Sequence, residues 1–112
     1  MIDPHALAEG EDCFNRQQFF EAHEVWEDAW RPLPKGDDKL FLQGLIQVAV
    51  SLEHWRRANP RGAAGQWQKG GDKLRALPSP YAGIDLSALL AAVERFYAAG
   101  GTGMWPRLVR SG

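Results

Sequence analysis

The segment from residue 37 to about residue 58 constrains the fold most, because its helical pattern is apolar around nearly the whole circumference. Its apolar positions are Leu40, Phe41, Leu42, Leu45, Ile46, Val48, Ala49, Val50, Leu52 and Trp55. A helix that is apolar on almost all sides is usually buried by neighbours on several sides. No stretch of the chain approaches the roughly 18 consecutive apolar residues of a transmembrane helix. We therefore predict that this helix lies at the centre of a globular fold and that the chain does not span a membrane.

Four further helices are predicted around this segment, and three of them begin after residues that commonly cap helices, namely Asp3, Asn59 and Asp85. Proline follows directly after the first two of these caps, at a position where a helix tolerates it. The predicted helices cover approximately 4–14, 19–30, 38–58, 60–77 and 86–97, with no convincing strand. At 112 residues the chain is long enough for one hydrophobic core. We predict an all-α fold, a compact bundle of about five helices arranged as helical hairpins, with the third helix central and a single domain over residues 1–112.

The second predicted helix, FFEAHEVWEDAW, places two ionisable residues among large aromatic side chains. At 100° per residue, His23 and Glu27 fall on the same side as Phe19, Trp26 and Trp30. A buried ionisable pair costs free energy unless the two groups are paired or have a function. His23 and Glu27 are therefore the first candidate site residues. Glu24 lies near the edge of the same face, so it either lines the mouth of such a site or is solvated.

The central helix carries one polar strip, formed by Gln43, Gln47, Ser51 and His54 within about 80° of one another. If the helix is central, this strip faces protein, and its natural partner is the pair on the second helix. The predicted pocket therefore contains His23, Glu24, Glu27, Gln43, Gln47 and His54.

Three interpretations of this cluster remain open from the residues alone. In the first, the groups form hydrogen bonds with one another and only stabilise the fold. In the second, they bind a small ligand or substrate, with a histidine as the acid–base group and Glu27 orienting that histidine. In the third, His23, Glu27 and His54 bind a transition metal. The spacing of HEVWE differs from HExxH, and it places only one histidine on the second helix. The sequence assigns neither an enzymatic reaction nor a cofactor.

Charge is distributed unevenly along the chain, although the net charge is only −1. Residues 1–38 hold ten acidic against three basic residues, and residues 39–112 hold four against ten. The two halves can complement each other within one subunit or between the subunits of a homodimer. A nucleic-acid-binding domain usually has a clear basic excess, so this balance argues against nucleic acid as a partner. A non-catalytic helical interaction module is the alternative function. The single cysteine and the acidic N-terminal segment without signal-peptide features predict a cytoplasmic protein.

Three motifs in order, FNRQQFFEAHEVWEDAW, FLQGLIQVAVSLEHW and NPRGA, resemble the signature of domain-of-unknown-function family 309 (DUF309), a group of small all-helical, mostly prokaryotic proteins. The resemblance implies a compact bundle of helical hairpins, and it implies no activity. The residues that match the family motifs are Phe14, Asn15, Phe19, His23, Glu24, Glu27, Trp30, Gly44, Gln47, Asn59, Gly62 and Ala63.

Overall fold

The computed structural model describes residues 1–111 and contains five α-helices, with no β-strand in that range beyond two isolated bridges. The helices are α1 (Pro4–Asn15), α2 (Phe19–Trp30), α3 (Asp37–Arg56), α4 (Pro60–Arg75) and α5 (Leu86–Ala98). The predicted all-α bundle of five helices is confirmed. The predicted third helix extends to residue 58, whereas α3 ends at Arg56.

The three predicted N-caps all accept backbone hydrogen bonds at the starts of their helices. The Asp3, Asn59 and Asp85 side chains accept from the N–H groups of His5, Gly62 and Ala88 at 2.9, 3.1 and 2.9 Å. Each bond satisfies one of the four N–H groups that a helix start leaves unpaired, which is worth about 1 kcal/mol.

The end of α3 is closed by a residue in the left-handed conformation, Ala58, with a φ of 60°. Behind it, the Asn59 N–H donates to the His54 carbonyl at 2.8 Å. This bond between residues five apart, with a left-handed residue inside it, is the Schellman arrangement. It explains why the helix stops before residue 58, because Ala58 cannot keep helical dihedral angles and also turn the chain towards α4.

Successive helices pack as antiparallel hairpins, with α1 against α2, α2 against α3 and α3 against α4. Eight residues of α3 are buried, more than in any other helix, which confirms its central position. The approach of α4 to α3 depends on glycine, since a Cβ atom at Gly70 would lie 2.9 Å from the Gly44 carbonyl oxygen. No helix within residues 1–111 combines the length and the apolar character needed to cross a membrane.

The segment after α5 packs back onto the body, as its Trp105 and Leu108 predict. The Leu108 N–H donates to the Asn15 side-chain oxygen at 2.7 Å, and the Asn15 amide returns a bond to the Leu108 carbonyl at 3.1 Å. Trp105 stacks against Phe96, with ring centroids 4.8 Å apart. Met104 of the same segment does not pack in this way, because its side chain is 84% exposed. The segment therefore holds α5 against the end of α1 and leaves the side chains of Met104 and Val109 exposed.

Candidate functional site

Two side chains of α2 and the arginine that follows this helix form a continuous hydrogen-bonded chain. The His23 Nε2 donates to Glu27 Oε2 at 2.7 Å, and Arg31 Nη2 donates to Glu27 Oε1 at 2.7 Å. Spacings of four residues bring these groups onto one side of the helix, where such pairs meet. Both oxygens of Glu27 are therefore engaged, and the carboxylate fixes the orientation of the His23 ring. His23 and Glu27 remain 25% and 33% exposed, so solvent reaches both side chains.

The bond to Glu27 determines which nitrogen of neutral His23 carries the proton. Because a carboxylate only accepts hydrogen bonds, Nε2 must carry the hydrogen, and Nδ1 then presents a lone pair. Nδ1 is buried and has no hydrogen-bond partner within residues 1–111. Nearly all buried polar atoms in folded proteins have a partner, so an unpartnered acceptor calls for an explanation such as a ligand or a water molecule.

His23 also lines a groove between α2 and α3, which we call the α2–α3 groove. Its volume is about 250 Å³, and its walls are mostly apolar. Phe20 forms one wall and is 45% exposed. The groove is lined by Phe19, Phe20, His23, Val50, Glu53, His54 and Arg57.

His54 lies in the last turn of α3 and is held from behind by Asn59. The Asn59 Oδ1 accepts from the Gly62 N–H at the start of α4, which leaves its amide group facing His54 Nδ1 at 3.3 Å. An amide N–H needs an acceptor, so Nδ1 is the unprotonated nitrogen of neutral His54. The hydrogen of the His54 ring is therefore on Nε2, which makes this nitrogen a hydrogen-bond donor.

The carboxylate of Glu53, which lies between two arginines, completes this end of the groove. Arg57 Nε donates to Glu53 Oε2 at 2.6 Å, and Arg56 contacts the other oxygen. Burial by itself raises the pKa of the Glu53 carboxyl, but the hydrogen bonds from Arg57 and Arg56 outweigh it and hold the pKa below its usual value. Glu53 is thus ionised at neutral pH, and this end of the groove is lined by Glu53 and Arg57, with the Arg56 guanidinium bound to the same carboxylate.

The remaining predicted pocket residues are distributed over three places. Glu24 lines a smaller cleft of about 140 Å³ together with His23, Glu27, Asp28 and Arg31. Lys39 contacts α2, because its ammonium group is 4.5 Å from the centroid of the Trp30 ring. Gln43 lies one turn after Lys39 on the same side of α3, and it is therefore near the side that faces α2.

Gln47 packs against α4, because a Cβ atom at Gly70 would lie 3.0 Å from the Gln47 Cβ. Its side-chain oxygen is buried and has no hydrogen-bond partner within residues 1–111. Neither Gln43 nor Gln47 lines the α2–α3 groove.

Ser51, the fourth residue of the polar strip, belongs to a separate cluster. Its Oγ donates to the Ala63 carbonyl at 2.7 Å and lies 2.6 Å from the Tyr97 hydroxyl, which therefore donates to it. Burial raises the pKa of Tyr97, although the bond to Ser51 opposes the rise. The expectation that the whole strip meets His23 is wrong for Ser51, because this residue lies on the opposite edge of the strip, where α4 and α5 cover it.

The arrangement does not support the hypothesis of a metal site formed by His23, Glu27 and His54. No group of three or more histidine, cysteine, aspartate or glutamate side chains within residues 1–111 is close enough to hold one ion. On one side of the groove, Glu27 binds His23 and Arg31. On the other side, His54 binds Asn59. The two histidines share a groove without sharing a carboxylate.

Sequence reasoning did not include three residues that shape this site: Phe20, Arg31 and Arg57. The spacing of four residues between Glu27 and Arg31, and between Glu53 and Arg57, is a signal that would have found both ion pairs. No comparable signal exists for Phe20, because its role depends on how α2 is turned against α3.

Comparison with known proteins places the site inside a recognised sequence family. The family model described as "Domain of unknown function (DUF309)" matches residues 7–66, which include all six predicted pocket residues. The chain is 27% identical over 88 residues to an "Uncharacterized protein" of Aquifex aeolicus (strain VF5), a match that covers 79% of this chain and 26% of that protein. It is 43% identical over 47 residues to "Uncharacterized protein YpuF" of Bacillus subtilis (strain 168), covering 42% and 27% respectively. The chain thus spans about a quarter of the length of these curated relatives.

Proposed function

The chain belongs to the DUF309 family, whose description names no activity, and from the geometry of its site we propose that it binds a small molecule in the α2–α3 groove. The proposal concerns binding and leaves the question of a reaction open. The observation that carries it is the state of His23, which is oriented by Glu27 and Arg31 while its second nitrogen has no partner within residues 1–111.

The cost of this arrangement supports a role for His23 beyond folding. A buried acceptor without a partner costs roughly 1–3 kcal/mol, and an exposed ion pair on one helix returns only about 0.3–0.5 kcal/mol. An apolar side chain at position 23 would avoid this cost and fill the space beside Phe20. A ligand or an ordered water molecule that donates a hydrogen bond to Nδ1 would remove the deficit.

The size of the groove limits the ligand. A closed cavity of about 150 Å³ accommodates benzene, and sites for drug-sized ligands start near about 300 Å³. The groove of about 250 Å³ is therefore suited to a single ring or a short branched chain with one polar substituent. Phe19, Phe20 and Val50 supply the apolar contacts for such a body.

Binding is tested by titrating the ¹⁵N-labelled protein with two neutral probes, benzyl alcohol and indole, and following backbone amide shifts. We expect shifts centred on Phe20, His23 and Val50. Val50→Phe fills the groove and is expected to abolish them, whereas Ala64→Phe, at an exposed position on α4 that does not line the groove, is the control. Thermal melts establish that both variants are folded. Shifts that are absent, or that remain unchanged in Val50→Phe, would contradict the proposal.

A specific observation also favours a second function, self-association as an interaction module. A recess of about 460 Å³ lies between α5 and the segment after it, and Met104 beside it is 84% exposed. Arg95 and Arg107 line this recess, whereas Glu9 and Glu21 are exposed on α1 and α2, so a second copy of the chain offers complementary charge. We propose a homodimer through this surface. Sedimentation should show it in the wild type, and Met104→Asp should shift it to the monomer.

We also propose that nucleic acid is not a partner and that the protein is cytoplasmic. A nucleic-acid partner has little support, because Arg56 and Arg57 share Glu53, and Arg75 is shared between Asp72 and Glu94. A cytoplasmic location is supported by the free thiol of Cys13.

A further inference from the structure

We propose that the ligand of the α2–α3 groove is a small apolar carboxylate, whose anionic group is held by Arg57 and by the Nε2–H of His54. This inference rests on the proposed function, and it adds the chemical class of the ligand and its orientation. Arg57 and His54 lie one turn apart at the C-terminal end of α3, and both line the groove. They provide N–H donors at one end of a space that is otherwise mostly apolar.

Arg57 has donors to spare. Its Nε is used on Glu53 at 2.6 Å, whereas its two terminal nitrogens form no hydrogen bond or ion pair within residues 1–111. Arg56 differs, because its terminal nitrogens donate to the Gln17 carbonyl at 2.7 Å and to Glu53. The planar guanidinium of Arg57 is thus fixed at one edge by Glu53 and open at the other, where it can bind the two oxygens of a carboxylate.

His54 adds a neutral donor whose direction is set by the fold. Asn59 caps α4 with its oxygen and therefore directs its amide N–H towards His54 Nδ1, which leaves the ring hydrogen on Nε2. A donor held in this way favours an acceptor on the ligand and disfavours an ammonium group, which has no acceptor.

The local charge also favours an anion at this end. Glu53 is a carboxylate between two guanidinium groups, which leaves one positive charge in excess. The C-terminus of α3 contributes roughly half a negative charge, but α4 begins four residues later and its N-terminus contributes about the same positive amount. The partial charges of the two helix ends cancel, so the excess positive charge of the arginines makes this end of the groove positive.

A neighbouring cleft, which shares His23 with the groove, has the opposite charge, and this makes the orientation testable. Glu24, Glu27 and Asp28 face one guanidinium, that of Arg31, in the cleft beside His23. An anionic group in that cleft would be repelled, and an ammonium group would be attracted. The proposal therefore places the apolar body of the ligand against Phe20 and Val50 and its carboxylate at Arg57, while an ordered water molecule or a hydroxyl on that body donates to His23 Nδ1.

The experiment compares dissociation constants of three probes of similar size: phenylacetate, benzyl alcohol and phenethylamine. Amide shifts in the ¹⁵N-labelled full chain locate each probe and give its affinity. We expect phenylacetate to bind several-fold more tightly than benzyl alcohol and phenethylamine to bind most weakly. The advantage of phenylacetate should shrink with added salt, because Arg57 is largely exposed and its charge is screened.

Two arginine variants identify the group responsible. Arg57→Gln should raise the dissociation constant of phenylacetate about tenfold, the effect expected for one charge-assisted hydrogen bond, and should leave that of benzyl alcohol within about twofold. Arg61→Gln is the matched control, since Arg61 is exposed on α4 and does not line the groove. It should change neither constant.

The outcomes separate this inference from the proposed function. If benzyl alcohol binds in the groove as tightly as phenylacetate, or if phenethylamine binds most tightly, the carboxylate is overturned and the binding groove stands. An equal loss of both probes in Arg57→Gln would likewise overturn the assigned role of Arg57. If no probe shifts groove resonances, the groove itself fails as a site and the inference fails with it.

Discussion

Both sides of α3 place polar side chains in an interface between helices, but the two interfaces differ in whether those side chains have hydrogen-bond partners. Towards α4 and α5, Ser51 is fully buried and its hydroxyl is paired with the Ala63 carbonyl and the Tyr97 hydroxyl. Towards α2, His23 and His54 line an open groove, and one nitrogen of His23 has no partner within residues 1–111. The cluster around Ser51 is closed and satisfied, although Gln47 Oε1 on the same side has no partner within residues 1–111, and the cluster around His23 is open and incomplete.

This difference separates polar groups that hold the fold from polar groups that are available for contact. A fully satisfied buried network contributes to stability and to a unique arrangement of the helices. The partly exposed His23–Glu27 pair contributes little to folding, and the ligand that we propose is placed beside it. If the comparison is right, stability should be sensitive to changes on the α4 side and insensitive to changes on the α2 side.

The largest effect is expected where α3 and α4 approach most closely. Gly70→Ala introduces a Cβ atom 2.9 Å from the Gly44 carbonyl oxygen and 3.1 Å from the Val48 nitrogen, both of which belong to the backbone. The two helices must separate, and we expect a loss of about 3 kcal/mol in the free energy of unfolding. Urea denaturation followed by tryptophan fluorescence measures it.

The control for this prediction lies in the same helix. A Cβ atom at Gly65 would meet nothing within 4 Å, so Gly65→Ala changes only the helix propensity. It should stabilise the protein by roughly 0.5–1 kcal/mol. Opposite signs for the two variants would establish that the α3–α4 contact is tight, and a loss below about 1 kcal/mol for Gly70→Ala would show that it is not.

The next effect concerns the hydroxyl of Ser51. Ser51→Ala leaves the Ala63 carbonyl and the Tyr97 hydroxyl without their shared partner, and we expect a loss of about 2 kcal/mol. Tyr97→Phe removes one member while Ser51 still donates to Ala63, so its loss should be smaller, near 1 kcal/mol. Thermal or urea unfolding of both variants checks the order, and a reversed order would mean that Ser51 is not the centre of the cluster.

The outline of the fold could be predicted from local signals, whereas the division of the polar strip could not. The capping residues Asp3, Asn59 and Asp85 act through their own backbone neighbours, so the sequence alone locates the helix starts. The strip on α3 lies at the boundary between the side that faces α2 and the side that faces α4. Periodicity shows that its residues share one side of a helix, but it does not show which neighbour covers each edge.

The candidate site was predictable to the same extent. The pair His23–Glu27 follows from a spacing of four residues, and its distance of 2.7 Å agrees with that spacing. The groove beside it depends on the rotation of α2 against α3 and on the exposed side chain of Phe20, which no local pattern specifies. Long-range packing, and not residue type, therefore decides which polar residues are left incomplete.

A smaller effect is expected at the boundary of the groove, where Ala58 has a φ of 60°. Glycine adopts this conformation without strain, so Ala58→Gly should stabilise the protein by about 1 kcal/mol. Ala64→Gly, at an exposed position inside α4, is the control and should destabilise by roughly 0.5–1 kcal/mol. Both are read from urea midpoints, and a loss of stability in Ala58→Gly would argue against strain at the end of α3.

The smallest effect on stability, and the most informative, is expected for His23→Ala. Alanine gains roughly 0.5 kcal/mol in helix propensity, and the lost ion pair with Glu27 costs about the same, while Glu27 keeps its bond to Arg31. Removal of the unpartnered Nδ1 is favourable, but the contact of the ring with Phe20 is lost with it, so the net change should lie within about 0.5 kcal/mol of zero. His5→Ala is the control, since His5 is exposed in the first turn of α1 and makes no contact with the groove.

Stability alone does not assign a role to His23, so the same melts are repeated with saturating benzyl alcohol. A ligand that binds only the folded chain raises its melting temperature. We expect this rise in the wild type and in His5→Ala, and a much smaller one in His23→Ala. A loss of 2 kcal/mol in His23→Ala without ligand would instead place His23 with Ser51 among the residues that hold the fold, and the contrast between the two sides of α3 would disappear.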